Sequence, residues 1–316
     1  MLTNKREVKF FIFLVVILCL LLGGMYVVGD KVIHDEAVSS AKVAANPFNS
    51  VTLTAKAAYV LDVRTGKVLF QKNGEERLPL ASLTKVMTAL TATTLAPATQ
   101  TITITQEAID TEGDSGLLVG ERWSLKNLID FSLASSSNDG ARAIGFAIGA
   151  LGDLNATSSE SSEANFIKEM NTEAAKIGMT QTLYINDTGL DQSTTQGGAY
   201  GTAKDMATLF DYILKNHPNI MEATRQASFS IASESGIMHT AINTDTIVNN
   251  IPGLIASKTG DTDLAGGNLV VAFDPELGRP IIISVLGSTT DGRFEDVSKL
   301  VAASLESIQT NIQSKT

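Results

Sequence analysis

A run of nineteen residues without a single charge, Phe10 to Val28, constrains this chain more than any other feature. At ~1.5 Å per residue a helix over this run reaches about 28 Å, close to the ~30 Å hydrocarbon core of a bilayer. Lys5, Arg6 and Lys9 precede it against one Glu7. Positive charge before a span predicts an N-terminus in the cytoplasm and the rest of the chain outside. Two readings compete, a cleaved signal peptide and a retained anchor. Cleavage needs a small-x-small site soon after the apolar run. Gly29-Asp30-Lys31-Val32-Ile33-His34 is not such a site, and Val43-Ala44-Ala45 lies too far on. The retained anchor is therefore favoured. Leu18 is too large to precede a lipid-attachment cysteine, so Cys19 reads as an apolar membrane residue.

The rest divides by pattern, giving three segments: 1–29 as n-region and anchor, 30–55 as tether, 56–316 as one folded domain. In the tether, Ala37-Val38-Ser39-Ser40-Ala41 is small and aperiodic, and Pro47 and Asn49 interrupt it. Ala57 to Val63 and Val68 to Gln71 flank a turn at Arg64-Thr65-Gly66-Lys67, predicting a hairpin. From Ser82, Leu83, Val86, Met87 and Leu90 recur at helical spacing, predicting a buried helix. Helices follow over Trp123 to Ile129, Gly140 to Ile148, Asn165 to Lys176 with Gly178 as its cap, and Ala203 to Leu214. Asn155 to Glu163 reads as a polar loop. Asn268 to Phe273 and Pro280 to Leu286 are apolar strands, and Glu295 to Ile312 a closing helix. Strands, a helical middle, strands and a last helix predict an α+β fold, an antiparallel sheet with helices on it and a helical insertion.

Composition removes several chemistries. Net charge is −10 with no basic block, so nucleic acid is not an expected partner. One cysteine excludes a disulfide framework and Cys-based metal or redox sites. His34, His217 and His239 are scattered, which argues against a His-based zinc site and weakens a Ser-His-Asp site. No metal and no cofactor are expected.

What remains is serine and lysine. Ser82-Leu83-Thr84-Lys85 opens the buried helix. Ser82 could simply cap it, but a capping box wants Glu or Gln at 85, and lysine in a first turn opposes the helix dipole. Residues three apart share a helical face, so Lys85 can reach the Ser82 hydroxyl, and a neutral buried lysine can take its proton. A second Ser-x-x-Lys, Ser39 to Lys42, falls in the tether. Ser136-Ser137-Asn138 is the one Ser-x-Asn in the chain; both residue types also make good helix N-caps. Lys258-Thr259-Gly260 is also unique, and taken alone it reads as a strand running out into a turn.

Order and spacing decide: the three occur in sequence, 54 and then 122 residues apart. This combination resembles the penicillin-binding and serine β-lactamase superfamily, and within it the low-molecular-mass D-alanyl-D-alanine carboxypeptidases, peptidase family S11. The resemblance covers about residues 56 to 316. It extends to Leu80 to Thr88, to Gly178 to Thr182, to Asn186-Asp187-Thr188-Gly189-Leu190, to Lys258 through Thr262 with Ala265-Gly266, and to Gly292-Arg293. Two features depart from it. The Asn186 to Leu190 loop often carries His in the family, and here has Asp187 and Thr188. Many relatives also continue into a small β domain and a C-terminal amphipathic anchor, a duty the N-terminal span would take over here.

The resemblance implies a β-lactamase/transpeptidase-like fold and a site. Ser82 would be the nucleophile that forms an acyl-enzyme between two D-alanines. Lys85 would be the general base, its pKa depressed by Lys258 and by burial. Ser136 would bridge these groups and pass a proton to the leaving amine, and Asn138 would position Lys85 and the substrate amide. The backbone N–H groups of Ser82 and Asp261 would form the oxyanion hole. Gly260 would leave room for an extended substrate on the strand edge. Thr259 and Arg293 would bind the terminal carboxylate. The implied partners are a peptidoglycan pentapeptide ending in D-Ala-D-Ala and β-lactams as covalent inhibitors, at the outer face of a bacterial cell membrane. Three alternatives stay open. These are a D,D-endopeptidase, a β-lactamase (although Glu160, Glu163 and Glu169 do not form its Glu-x-x-x-Asn pattern), and a silent peptidoglycan-binding module.

Overall fold

The protein is described by a computed structural model covering residues 8–22, 46–152 and 158–313. It separates into two compact units, Met1–Asn46 and Pro47–Thr316. In the first, residues 8–22 form an exposed helix, α1. Its described part takes in residues 10–22 of the charge-free run. Residues 23–28 of the expected span, and 30–45 of the expected tether, lie outside the described residues. Among the described residues no helix is long and apolar enough to cross a membrane, so the expected transmembrane helix finds no support there.

The second unit starts at Pro47, earlier than the expected boundary at 56. Phe48, Leu53 and Ala55 are buried, Phe48 stacks on Phe70 at 5.6 Å, and the backbone N–H groups of Thr54 and Ala55 donate to the Asp296 carboxylate at 3.0 and 2.8 Å. The end of the expected tether is thus part of the fold, because its few apolar side chains find a core.

The chain then runs through β1 (Ala57–Asp62), β2 (Lys67–Lys72), β3 (Leu78–Pro79), α2 (Thr84–Leu95), β4 (Thr101–Thr103), α3 (Gln106–Ile109), β5 (Arg122–Ser124), α4 (Leu125–Ser135), α5 (Asn138–Gly152) and α6 (Ser159–Lys176). It continues with β6 (Leu183–Tyr184), β7 (Ala199–Gly201), α7 (Ala203–Asn216), β8 (Ser228–Ala232), β9 (Met238–Ile242), β10 (Leu254–Thr262), β11 (Gly266–Phe273), β12 (Ile281–Ser288) and α8 (Gly292–Gln313). The main sheet is antiparallel throughout, in the order β10-β11-β12-β1-β2.

Its inner strands are apolar on both faces, and the period of two sorts their side chains. Leu269, Val271 and Phe273 of β11 pack with Val297, Leu300 and Val301 of α8. Val270 and Ala272, the alternate residues, join the larger core built around α2 and α7. Helix α2 is buried at every position from Thr84 to Ala92, including Lys85. The expected α+β architecture is therefore present, with α8 on one face and the helical part on the other.

Three local readings need correction. Trp123 does not start a helix: Arg122–Ser124 pairs with Thr101–Thr103, and the helix begins at Leu125, capped by the Ser124 hydroxyl. The polar stretch Asn155 to Glu163 is helical from Ser159, because the Ser158 side chain caps the Ser161 N–H in a capping box; residues 153–157 are not among those described. Lys258-Thr259-Gly260 lies inside a nine-residue strand and not at its end. Being in β10, these residues do sit on the edge of the sheet.

Candidate active site

Ser82 sits in a short 3-10 turn, Ala81–Leu83, that runs directly into α2. Its hydroxyl caps nothing, which removes the simple capping reading. Ala81 before it has φ +49, a left-handed conformation unusual for a residue with a Cβ. Two neighbours hold this turn. Asn268 of β11 donates through Nδ2 to the carbonyls of Pro79 and Leu80 at 3.0 and 3.1 Å, and its Oδ1 accepts from Gly287 N. Gly260 of β10 lies flat against the turn: a Cβ there would stand 2.8 Å from Leu80 O and 3.2 Å from Ser82 N. The room that Gly260 leaves is thus occupied by the nucleophile's own backbone, and was expected to serve substrate.

One turn on, Lys85 Nζ meets three oxygens: Ser82 Oγ at 2.8 Å, Asn138 Oδ1 at 2.6 Å and the Thr188 carbonyl at 2.8 Å. Asn138 is fixed in orientation, because its Nδ2 donates to Glu112 O at 2.7 Å and so turns Oδ1 toward the lysine. Two of the three partners, Asn138 Oδ1 and Thr188 O, can only accept. A neutral Lys85 has two N–H bonds, which they consume, and its lone pair is then left facing the Ser82 hydroxyl. Burial lowers the Lys85 pKa to about 7; Asp187 and Asp139 pull it back up and Arg142 pushes it down. Lys258 was expected to help depress it; burial is instead the main cause.

Ser136 is the hinge residue between α4 and α5, with φ +59. For a non-glycine residue this conformation costs on the order of 1 kcal/mol, and it aims the side chain across the cleft. Lys258 Nζ donates to Ser136 Oγ at 2.8 Å and to the Thr259 carbonyl at 2.8 Å. Burial first, then the positive Lys85 and Arg293, hold Lys258 well below the ordinary amine range. Thr259 is buried, its hydroxyl bonded to that of Thr244 at 2.5 Å. Arg293, second in α8, is buried rather than an exposed helix-start residue. Its Nη1 donates to Gly260 O at 3.0 Å and Asp261 Oδ2 at 2.9 Å, and the guanidinium lies over Phe294. The whole set drawn from the sequence is therefore brought together by α2, the α4–α5 junction, edge strand β10 and the start of α8. Three basic side chains, Lys85, Lys258 and Arg293, gather at one site of an acidic chain.

Sequence reading missed the Thr188 and Glu112 carbonyls, Asn268 and the buried Asp187. Backbone acceptors leave no mark on a sequence; a buried polar residue inside an apolar strand, as at Asn268, does.

The chain is similar to several known proteins. Residues 40–290 match the family model for Peptidase_S11, D-alanyl-D-alanine carboxypeptidase. The chain belongs to this peptidase family. It is 28% identical over 263 residues to the D-alanyl-D-alanine carboxypeptidase DacF of Bacillus subtilis, covering 81% of this chain and 64% of that one. It is 30% identical over 262 residues to a D-alanyl-D-alanine endopeptidase of Pseudomonas aeruginosa, covering 78% and 76%. The fold is that of penicillin-binding proteins: penicillin-binding protein D2 from Listeria monocytogenes, solved in its cefotaxime-bound form, superposes with a TM-score of 0.66 at 28% identity over 80% of this chain and 98% of that one. This chain thus spans about two-thirds of the length of the Bacillus relative.

Proposed function

We propose that the protein is a serine-type D-Ala-D-Ala carboxypeptidase that trims the terminal D-alanine from peptidoglycan stem peptides. The observation that carries this reading is the environment of Lys85 Nζ, with Ser82 Oγ, Asn138 Oδ1 and Thr188 O around it. Neutral Lys85 takes the Ser82 proton as Oγ bonds to the carbonyl carbon between the two D-alanines. The oxyanion receives the N–H groups of Ser82 and Asp261. As the C–N bond breaks, the leaving amine takes a proton through Ser136, which Lys258 supports. The acyl-enzyme ester is then cleaved by water. The substrate lies along the open edge of β10, with Arg293 and Thr259 nearest its terminal carboxylate.

The names of the relatives support the same chemistry. Since one of them is named an endopeptidase, cleavage of D,D-crosslinks on the same site is the second reading. Mass spectrometry of a muropeptide digest separates the two: loss of one alanine from monomers for the carboxypeptidase, conversion of dimers to monomers for the endopeptidase. Labelling by a fluorescent penicillin tests the acyl-enzyme itself, and a protein that takes no label would return the reading to a silent binding module. Steady turnover of the penicillin would indicate a β-lactamase; Glu163, one carboxylate weighed for that role, is engaged with Arg142. We place the catalytic domain on the outer face of a bacterial cell membrane, held by the segment ending at Val28, on the strength of the charge-free run and its basic flank. Recovery of the native N-terminus in the membrane fraction supports this; a soluble form starting after about residue 28 overturns it.

A further inference from the structure

A second charged cluster adjoins Lys85, fully buried at Asp187 and partly exposed at Arg142 and Glu163. The Asp187 side chain is fully buried on the loop that supplies the Thr188 carbonyl. Its carboxylate is 3.2 Å from Arg142 Nη1 on α5, and the same nitrogen meets Glu163 of α6. Among the described residues no other side chain donates a hydrogen bond to it. It rests on α5 where Gly145 exposes bare backbone, and a Cβ there would overlap it. The Asp187 main chain faces the other way, its carbonyl accepting from Thr88 Oγ1 of α2 at 2.6 Å, one turn beyond Lys85. Asp187 thus joins the helix that carries Lys85, the helix that opens with Asn138, and the loop carbonyl that receives Lys85.

We propose that Asp187 is a positioning residue for Lys85: the ion pair with Arg142 seats the 186–189 loop so that the Thr188 carbonyl faces Nζ, and its charge sets the pH at which Lys85 becomes a base. The proposal rests on Lys85 acting as the general base. The charged groups acting on the Asp187 carboxyl are Arg142 on α5, Glu163 on α6 and Lys85 on α2. Those acting on Lys85 are Asp187, Asp139 and Arg142, and Lys258 interacts with it across the site. Burial raises the Asp187 pKa to about 7, with Glu163 adding to the rise and Arg142 and Lys85 opposing it, so its charge changes in the range where Lys85 loses its proton.

The two carboxylates on Arg142 then act on Lys85 with opposite sign. Asp187→Asn removes a charge that favours protonated Lys85, so the rising limb of acylation against pH moves to lower pH, by up to about one unit. Glu163→Gln removes a charge that adds to burial in keeping Asp187 protonated. Asp187 ionises earlier, and the limb moves to higher pH.

The experiment measures the rate of acylation by a β-lactam from pH 5 to 10 for the wild type, Asp187→Asn, Glu163→Gln and Lys85→Ala, with melting curves for each. Opposite displacements of the limb, with Asp187→Asn also about tenfold slower at its plateau, are the expected result; loss of stability alone cannot move two limbs in opposite directions. An Asp187→Asn protein that melts cooperatively and keeps the wild-type limb and rate overturns the proposal, as do two shifts of the same sign. If Asp187→Asn does not fold, Glu163→Gln decides: an alkaline shift supports the proposal and an unmoved limb overturns it. If Lys85→Ala acylates like the wild type, the assignment of Lys85 as base has failed; if it is inactive while the other two variants match the wild type, only the role of Asp187 has failed.

Discussion

Arg293 and Asp261 form an ion pair at the mouth of the cleft, Nη1 to Oδ2 at 2.9 Å, while the same nitrogen holds the Gly260 carbonyl. The guanidinium therefore braces the strand edge and meets an anion before any substrate is present. Among the described residues its buried Nε has no acceptor, so the group's hydrogen-bonding capacity is not all used.

If Arg293 recognises a terminal carboxylate, its removal should hurt charged substrates selectively. Charge-assisted hydrogen bonds contribute ~1.5–3 kcal/mol each. Arg293→Ala should lower kcat/KM on a D-Ala-D-Ala peptide by roughly 10–100-fold, while a neutral ester of the same acyl group loses much less. Equal losses on both would assign Arg293 to bracing the strand edge.

Ser82→Ala should abolish covalent penicillin labelling. Ser39→Ala, the other Ser-x-x-Lys serine, should leave labelling unchanged. Gel fluorescence after incubation with the penicillin reads both, and residual labelling of the Ser82→Ala protein would remove the nucleophile assignment.

Acylation should rise with pH through about 7, where buried Lys85 loses its proton, and level off above it. Stability should follow the same group with a defined sign. Lys85 and Lys258 bind protons more weakly folded than unfolded, so between about 7 and the ordinary amine range the unfolded chain holds more protons. Stability contributed by these groups therefore rises with pH across that window. Melting temperatures at a series of pH values should show a shallower rise for Lys85→Met than for the wild type.

Asp296 is buried and accepts from Thr54 N, Ala55 N and Ser288 Oγ. Asp296→Ala leaves all three donors without it and should cost about 2–4 kcal/mol, lowering the melting temperature by roughly 5–15 °C. The folded fraction should still acylate at the normal rate, because Asp296 packs on the face of the sheet away from α2. A titration with labelled penicillin at low temperature checks this.

Much of the site was legible because side-chain chemistry leaves a spacing. Ser82 and Lys85 must be three apart to share a face, and Ser136 with Asn138, then Lys258 to Gly260, follow in order. The apolar runs at Asn268 to Phe273 and Pro280 to Leu286 gave the central strands for the same reason. Arg142, Glu163 and Asp187 were not legible as a cluster, since nothing local marks which of many charged residues will be drawn together. Arg122–Ser124 was misread because a three-residue strand is defined by its partner, Thr101–Thr103, and not by its own pattern. Phe48 and Leu53 look like isolated apolar residues in a tether until the α8 surface is known.

That docked segment also decides how the domain carries load. A pull on the chain at Pro47 is met first by the Phe48–Phe70 stack and by the Asp296 clamp, both on the α8 side of the sheet. Beyond them it reaches β1, which lies between β12 and β2 and resists in shear through two hydrogen-bonded ladders. Lys85 stands on α2, packed on the other face of the sheet from the clamp, so a disturbance of the clamp does not touch the reacting groups directly.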